Sequence, residues 1–274
     1  MTRYKVMAKM NRMYKILKIV YYKFLELVTL GKGVRVKING FSLKLPSKYY
    51  RLYSSDYESN QFEFIKKRIK KGDVVIDIGA HIGLYAVYFS KLTSGKVFSF
   101  EPTPETITVL KKTLEINNCN NVTVIEGAVS CKRSRAIFYT SKTEEIATGN
   151  SLIDVETDKN YIREGNYEVE LYGIDEFANE NKVRVGFLKI DAEGVELDVL
   201  NGAENTFIKD RPFASLGLHP FAYKNRGEML TMIWNKLGEY KMAVQTGGRD
   251  ISKDEFCNET RGLFDVELVP IEVK

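Results

Sequence analysis

The residues best suited to chemistry stand where short apolar runs end. Val74 to Ile78 is such a run, interrupted by Asp77, and Gly79-Ala80-His81-Ile82-Gly83 follows at once. Gly79 lets the backbone turn sharply and approach a ligand, Gly83 lets a helix pack on the strand, and the helix start offers free N–H groups. A second run, Lys96 to Phe100, ends in Glu101-Pro102. A carboxylate at that strand end accepts hydrogen bonds from ribose hydroxyls. Together the two features predict a nucleoside ligand without naming it.

The type of nucleoside follows from charge. A dinucleotide fingerprint places glycine where Asp77 stands, because the pyrophosphate needs an anion nest, and a carboxylate there repels phosphate. An ammonium suits it better. The cationic methionine moiety of S-adenosylmethionine is therefore the expected ligand, and NAD the weaker alternative.

Four segments resemble the FkbM family of methyltransferases over most of the stretch from about Val74 to Pro220. They are Ile76 to Gly83, Phe100-Glu101-Pro102-Thr103-Pro104-Glu105, Leu188-Lys189-Ile190-Asp191-Ala192-Glu193-Gly194-Val195-Glu196, and Leu218-His219-Pro220. The third is the most telling. The family often carries an acidic residue two positions before the His-Pro pair, where this chain has Gly217. The resemblance implies a class I methyltransferase fold and O-methylation of a hydroxyl on a sugar, glycan or secondary metabolite. It also implies that Asp77, Gly79 and Gly83, with Ala80 and His81 beside them, hold the methionine end, and that Glu101, next to Pro102, holds the ribose. Glu126, Gly127 and Ala128 would border the adenine, with Asp191 and Glu193 facing the transferred methyl.

A sugar hydroxyl is a poor nucleophile at neutral pH, so a base must take its proton. His219, with Asp191 or Glu193 as partner, is the candidate catalytic group. The alternative is a structural histidine ending a strand before Pro220. A helix start favours carboxylates without catalysis, which gives Asp191 and Glu193 a second explanation. Tyr57 and Glu58, in a tyrosine-rich link, are candidates for the acceptor site or for a lid.

These residues need a frame to hold them. Val34 to Ile38 and Phe41 to Leu45 alternate strictly around Asn39-Gly40, which predicts a β-hairpin. A helix over 61–70 follows. Thereafter strands over 74–78, 96–100, 122–125, 185–190 and 213–218 alternate with helices, including 195–208 and 227–237, and further strands are expected at 135–140 and 168–171. The pattern predicts an α/β, doubly wound, Rossmann-like parallel sheet. A loop is expected from Ser141 to Asn166. The expected organisation is a basic helical extension over 1–32, a hairpin and helix over 33–71, and a methyltransferase domain over 72–274.

The 274 residues, 44% of them apolar, suffice for one substantial core. Three scattered cysteines fit a reducing, cytoplasmic compartment and no disulfide framework, and two histidines exclude a histidine metal cage; no metal ligand is assigned, while a carboxylate and water site for a hard cation stays open. The net charge of +5 is concentrated at one end: residues 1–30 hold Arg3, Lys5, Lys9, Arg12, Lys15, Lys18 and Lys23 against Glu26. No basic catalytic face for nucleic acid remains. Lysines interrupt the apolar runs of this segment, which excludes a membrane span and gives an amphipathic helix with Leu17, Val20, Tyr21, Phe24 and Val28 on one stripe. That stripe is expected to pack on the catalytic domain or to lie on an anionic membrane surface. A non-catalytic membrane-surface or complex-forming module is the alternative from another class.

Overall fold

The computed structural model describes residues 3–141, 151–152 and 163–272. Most of the loop expected between Ser141 and Asn166 lies outside the described residues, as do the side chains of Lys5, Arg12 and Lys15. A helix, α1 (Arg3–Val28), precedes the hairpin of β1 (Val34–Ile38) and β2 (Phe41–Leu45). Asn39 (φ 48°) and Gly40 (φ 79°) form its left-handed two-residue turn, so Ile38 faces Phe41. After α2 (Ser59–Arg68) the strands β3 (Val74–Ile78), β4 (Val97–Glu101) and β5 (Val122–Glu126) are connected by α3 (Leu84–Thr93) and α4 (Pro104–Ile116). Pro104 opens α4 as expected, although the Thr103 side chain makes no capping hydrogen bond.

The segment after β5 departs from the expected repeat. β6 (Ala128–Val129), β7 (Ser134–Ser141) and β8 (Arg163–Tyr172) form a separate three-stranded sheet, and β7–β8 pairing runs on to Ser141 and Arg163. The expected strands at 135–140 and 168–171 thus exist but leave the main sheet. The chain re-enters through α5 (Ile174–Glu180), β9 (Val185–Asp191), α6 (Glu196–Asn201), β10 (Phe213–Leu218) and α7 (Arg226–Glu239). The single helix expected over 195–208 is instead α6 followed by a π-helical turn at Thr206–Asp210. The end of the chain adds β11 (Met242–Thr246), β12 (Arg249–Asp250), α8 (Lys253–Cys257) and β13 (Phe264–Pro270), none of which was expected.

The main sheet has eight strands in the order β12-β11-β13-β10-β9-β3-β4-β5. The five core strands are parallel, but β13 inserts antiparallel between β10 and β11, so the sheet is mixed rather than wholly parallel. Apolar residues cover both faces: Ile76, Ile78, Leu188 and Ile190 belong to one core cluster, Val75 and Phe187 to the other. Such burial on both faces explains the near-continuous apolar runs. The chain adds β4 and β5 on one side of β3 and β9 and β10 on the other. The order therefore reverses between β3 and β9, where the carboxyl ends of strands leave a crevice for ligands.

The packing of α1 on the catalytic domain does not occur along the described stripe. Leu17, Val20, Phe24 and Val28 are 57–61% exposed, while a hydrogen bond of 2.7 Å joins Tyr21 to Tyr50. No helix among the described residues is long and apolar enough to cross a membrane. Removal of residues 1–28 is expected to move the thermal midpoint by no more than about 2 °C, since exposed contacts contribute at most about 0.5 kcal/mol. A drop of 10 °C in a scanning calorimeter would show that α1 is part of the core.

Candidate functional site

The reversal point of the sheet is built by close backbone approach. Gly79 has φ +76°, and a Cβ there would lie 2.2 Å from the carbonyl oxygen of Asp191, so only glycine lets β3 end against β9 in this way. At Gly83 (φ +91°) a Cβ would meet Leu110 of α4 at 2.6 Å, so the close approach is of helix to helix and not, as expected, of helix to strand. His81, also left-handed at φ 49°, donates its N–H to Glu101 Oε2 at 2.9 Å, and the N–H of Thr103 reaches Glu101 Oε1 at 3.0 Å. Two backbone donors and the Thr103 side chain therefore fix the Glu101 carboxylate at the cavity wall. Burial raises its pKa, against the lowering effect of these hydrogen bonds.

A cavity of about 390 Å³ opens over this edge. Of the expected residues it is lined by Gly79, Ala80, His81, Glu101, Pro102, Gly127, Ala128, Asp191, Glu193 and His219, and by Tyr57 and Glu58. Asp77, Gly83 and Glu126 do not line it. Asp77 is fully buried one row below, paired in register with Lys189 and receiving a hydrogen bond from Ser99 at 3.3 Å. Lys189 is the neighbouring cation across the sheet, but its ion pair is with Asp191 and not with Asp77. Burial still pushes the Asp77 pKa up to about 6, with Lys189 opposing. Glu126 is corrected outright: it is exposed and pairs with Lys111 at 2.6 Å. Two buried polar atoms of the turn, Asp77 Oδ1 and His81 Nε2, lack a hydrogen-bond partner among the described residues. Burial lowers the His81 pKa to about 4, so the ring is neutral at pH 7.

Lys189 was missed by sequence reasoning, as were Glu196, Tyr223 and Asp265. The ammonium of Lys189 lies 3.0 Å from Asp191 Oδ2 and over the Tyr85 ring, whose hydroxyl donates to Glu58 at 2.5 Å. Burial disfavours the ammonium, but Asp191, Asp77 and Glu58 more than offset this and hold its pKa above the usual value. For Asp191, burial is outweighed by Lys189 and His219, and its pKa is lowered. The only signal in the sequence is a lysine inside an apolar strand, two residues before an aspartate.

His219 is brought together with Asp191 and Glu193 as expected, at 3.4 and 3.7 Å from Nε2. Its Nδ1 lies 2.7 Å from Glu196, a fully buried carboxylate that also accepts from Tyr223 and from the Gly194 N–H. Burial disfavours a charged ring, yet Glu196, Glu193 and Asp191 raise the pKa to about 9. At neutral pH the ring is an imidazolium and has no free site for a proton. A base role for His219 requires the ring to lose that proton first, and Glu196 on Nδ1 orients Nε2 toward Asp191 and Glu193. Asp191, Glu193 and His219 bring donor atoms within 4.8 Å of one another, and Lys189 already balances this group.

The profile of the methyltransferase FkbM domain matches residues 77–242. Methyltransferase 1 of Beauveria bassiana is 25% identical over 184 residues, covering 57% of this chain and 73% of that protein. Hexuronic acid methyltransferase AglP of Haloferax volcanii is 26% identical over 166 residues, covering 60% of this chain and 64% of that protein. A crystal structure of methyltransferase FkbM from Methylobacillus flagellatus aligns with a TM-score of 0.48 at 17% identity, over 73% of this chain and 44% of that one.

The His219 site carries a stability signature. Its folded pKa of about 9 lies above the ordinary value of 6.5, so its contribution is complete below pH 6.5 and is lost as pH rises toward 9. His219→Gln is expected to flatten the stability curve between pH 6.5 and 9, as read by urea titration at several pH values. An unchanged slope would show that the ring is neutral in the fold.

Proposed function

The chain belongs to the FkbM methyltransferase family, and from that premise we propose that it transfers a methyl group from S-adenosylmethionine to a hydroxyl of a sugar, glycan or secondary metabolite. The observation that carries this reading is the charge of the cavity. Glu58, Glu101, Asp191, Glu193 and Asp265 line it, against Lys189 and the His219 ring. An excess of carboxylates in a partly desolvated pocket attracts a sulfonium and an ammonium and repels a pyrophosphate. The similarity to a hexuronic acid methyltransferase supports a sugar as acceptor.

S-adenosylmethionine supplies a methyl already activated by positive charge, so the protein must mainly bind, align and remove a proton. Glu101 is placed to accept from the ribose hydroxyls. Asp191, beside Gly79, offers its carboxylate to the α-amino group. Gly127 and Ala128 form the wall for the adenine. Tyr57 and Glu58 stand across the cavity, where a sugar ring can stack and hydrogen-bond.

The exposed stripe of α1 supports a second element, peripheral contact with an anionic lipid surface. Apolar residues 57–61% exposed on a segment of net charge +6 fit an in-plane helix. The chain is expected to sediment with vesicles containing phosphatidylglycerol and not with pure phosphatidylcholine, and Phe24→Glu is expected to weaken this. Self-association through the stripe, seen by light scattering without vesicle binding, would replace the lipid by a second copy.

For the methyltransferase reading, calorimetric titration with S-adenosylhomocysteine is expected to show saturable binding and titration with NAD none. Asp191→Asn should weaken the former by about tenfold or more, the loss of roughly 1.4 kcal/mol or above from a charge-assisted contact. Saturable NAD binding would replace this reading by an oxidoreductase.

A further inference from the structure

The antiparallel strand β13 carries to the cavity a carboxylate, Asp265, that has no individual role above beyond its share of the charge. Asp265 lines the cavity, and its register partner is Gly217, whose partner on the other side is Asp191. Register partners present their side chains to the same face of a sheet. A side chain at 217 would therefore stand between the two aspartates, and glycine leaves that place bare. A Cβ at 217 would lie 3.2 Å from Asp265 Oδ1 and 3.6 Å from Asp191 Oδ1, so both carboxylates converge on one vacated point.

We propose that Asp265 is the general base for the acceptor hydroxyl, with Gly217 providing the space its carboxylate uses. The inference rests on the reading of the chain as an O-methyltransferase. The two aspartates are not equivalent. Asp191 is engaged by Lys189 at 3.0 Å and by His219 at 3.4 Å, which makes it a weak proton acceptor. Among the described residues no cation stands within ion-pairing distance, 4.0 Å, of Asp265. Burial raises its pKa, Glu58 and Asp191 raise it further, and Lys189 and His219 oppose, for a value of about 7. Tyr85 and Arg261 also feel its charge. A base that titrates near the working pH transfers protons well.

In the step itself, a lone pair of the acceptor oxygen forms the bond to the methyl carbon. The bond from that carbon to sulfur breaks, and its electron pair stays on sulfur. The hydroxyl proton passes to the Asp265 carboxylate and from there to solvent. The products are a methyl ether, a neutral thioether and one released proton.

The test combines a titration that needs no acceptor with a replacement of the carboxylate. Carbon-13 NMR of the aspartate carboxyls in the full chain, with Asp265→Asn to assign the signal, is expected to give a midpoint near 7. Methyl transfer from tritiated S-adenosylmethionine is then measured on methyl glycosides of neutral hexoses and of hexuronic acids. Asp265→Asn is expected to keep the thermal midpoint, lower kcat by about 10² or more at saturating S-adenosylmethionine, and remove the rise of kcat through pH 7. Adding Gly217→Asp to Asp265→Ala returns a carboxylate to the same space and is expected to restore part of kcat. A midpoint near 4, or an Asp265→Asn variant with wild-type kcat and pH profile, overturns the base. A wild-type chain that binds no S-adenosylhomocysteine overturns the methyltransferase reading, and the base with it.

Discussion

The buried ammonium of Lys189 is the interaction on which the rest of the site depends. It lies in a row of polar residues that crosses five neighbouring strands, Glu267, Ser215, Lys189, Asp77 and Ser99, all buried under the face that carries α2 and α3. Removing charges from water costs several kcal/mol per ion, and only close partners with further hydrogen bonds offset it. Here Asp77 and Asp191 flank the ammonium, Ser99 donates to Asp77, and Ser215 donates to Gln61. The row binds β3 to β9 where the strand order reverses. It also fixes which carboxylates are free: Asp77 is spent on the fold, and Asp191 is half turned toward the cavity.

Above this row the cavity divides labour among similar groups by their surroundings. Glu101 is oriented by two backbone N–H groups and the Thr103 side chain. Glu196 is fully buried and spent on His219, Tyr223 and Gly194, so it holds the ring with Nε2 toward Asp191 and Glu193. Glu193 stands in a left-handed conformation at φ 51°, beside Gly194 at φ 107°, and its carbonyl accepts from Ser151 at 2.7 Å. A non-glycine residue held at positive φ marks a turn whose geometry the surrounding structure enforces. The result is a pocket in which cations of the chain neutralise some carboxylates and leave others for a ligand.

What the sequence made legible were the features with local codes. Asn39-Gly40 specified its turn, the apolar runs gave the parallel strands, and Gly79 and Glu101 marked the sheet edge where the cavity opens. The failures share a cause, which is that pairing partners distant in the chain are invisible in it. β13 was not expected at all, and only its antiparallel register places Asp265 opposite Gly217. Asp77 looked like a cavity group because the lysine beside it across the sheet stands 112 positions further along. The charge state of His219 was not legible because its buried partner, Glu196, stands in α6, before β10. Spacing names candidates, while burial and charge partners decide among them.

The central claim is that the carboxylate-rich edge between β3 and β9 holds the adenosyl and methionine parts of S-adenosylmethionine. The most direct measurement is a crystal structure of the chain with S-adenosylhomocysteine. The account predicts ribose hydroxyls within hydrogen-bond distance of Glu101 and the α-amino group at Asp191, with the sulfur facing the space between Asp191 and Asp265. A ligand bound with its ribose away from Glu101, or with its amino acid end directed away from Asp191, would contradict it.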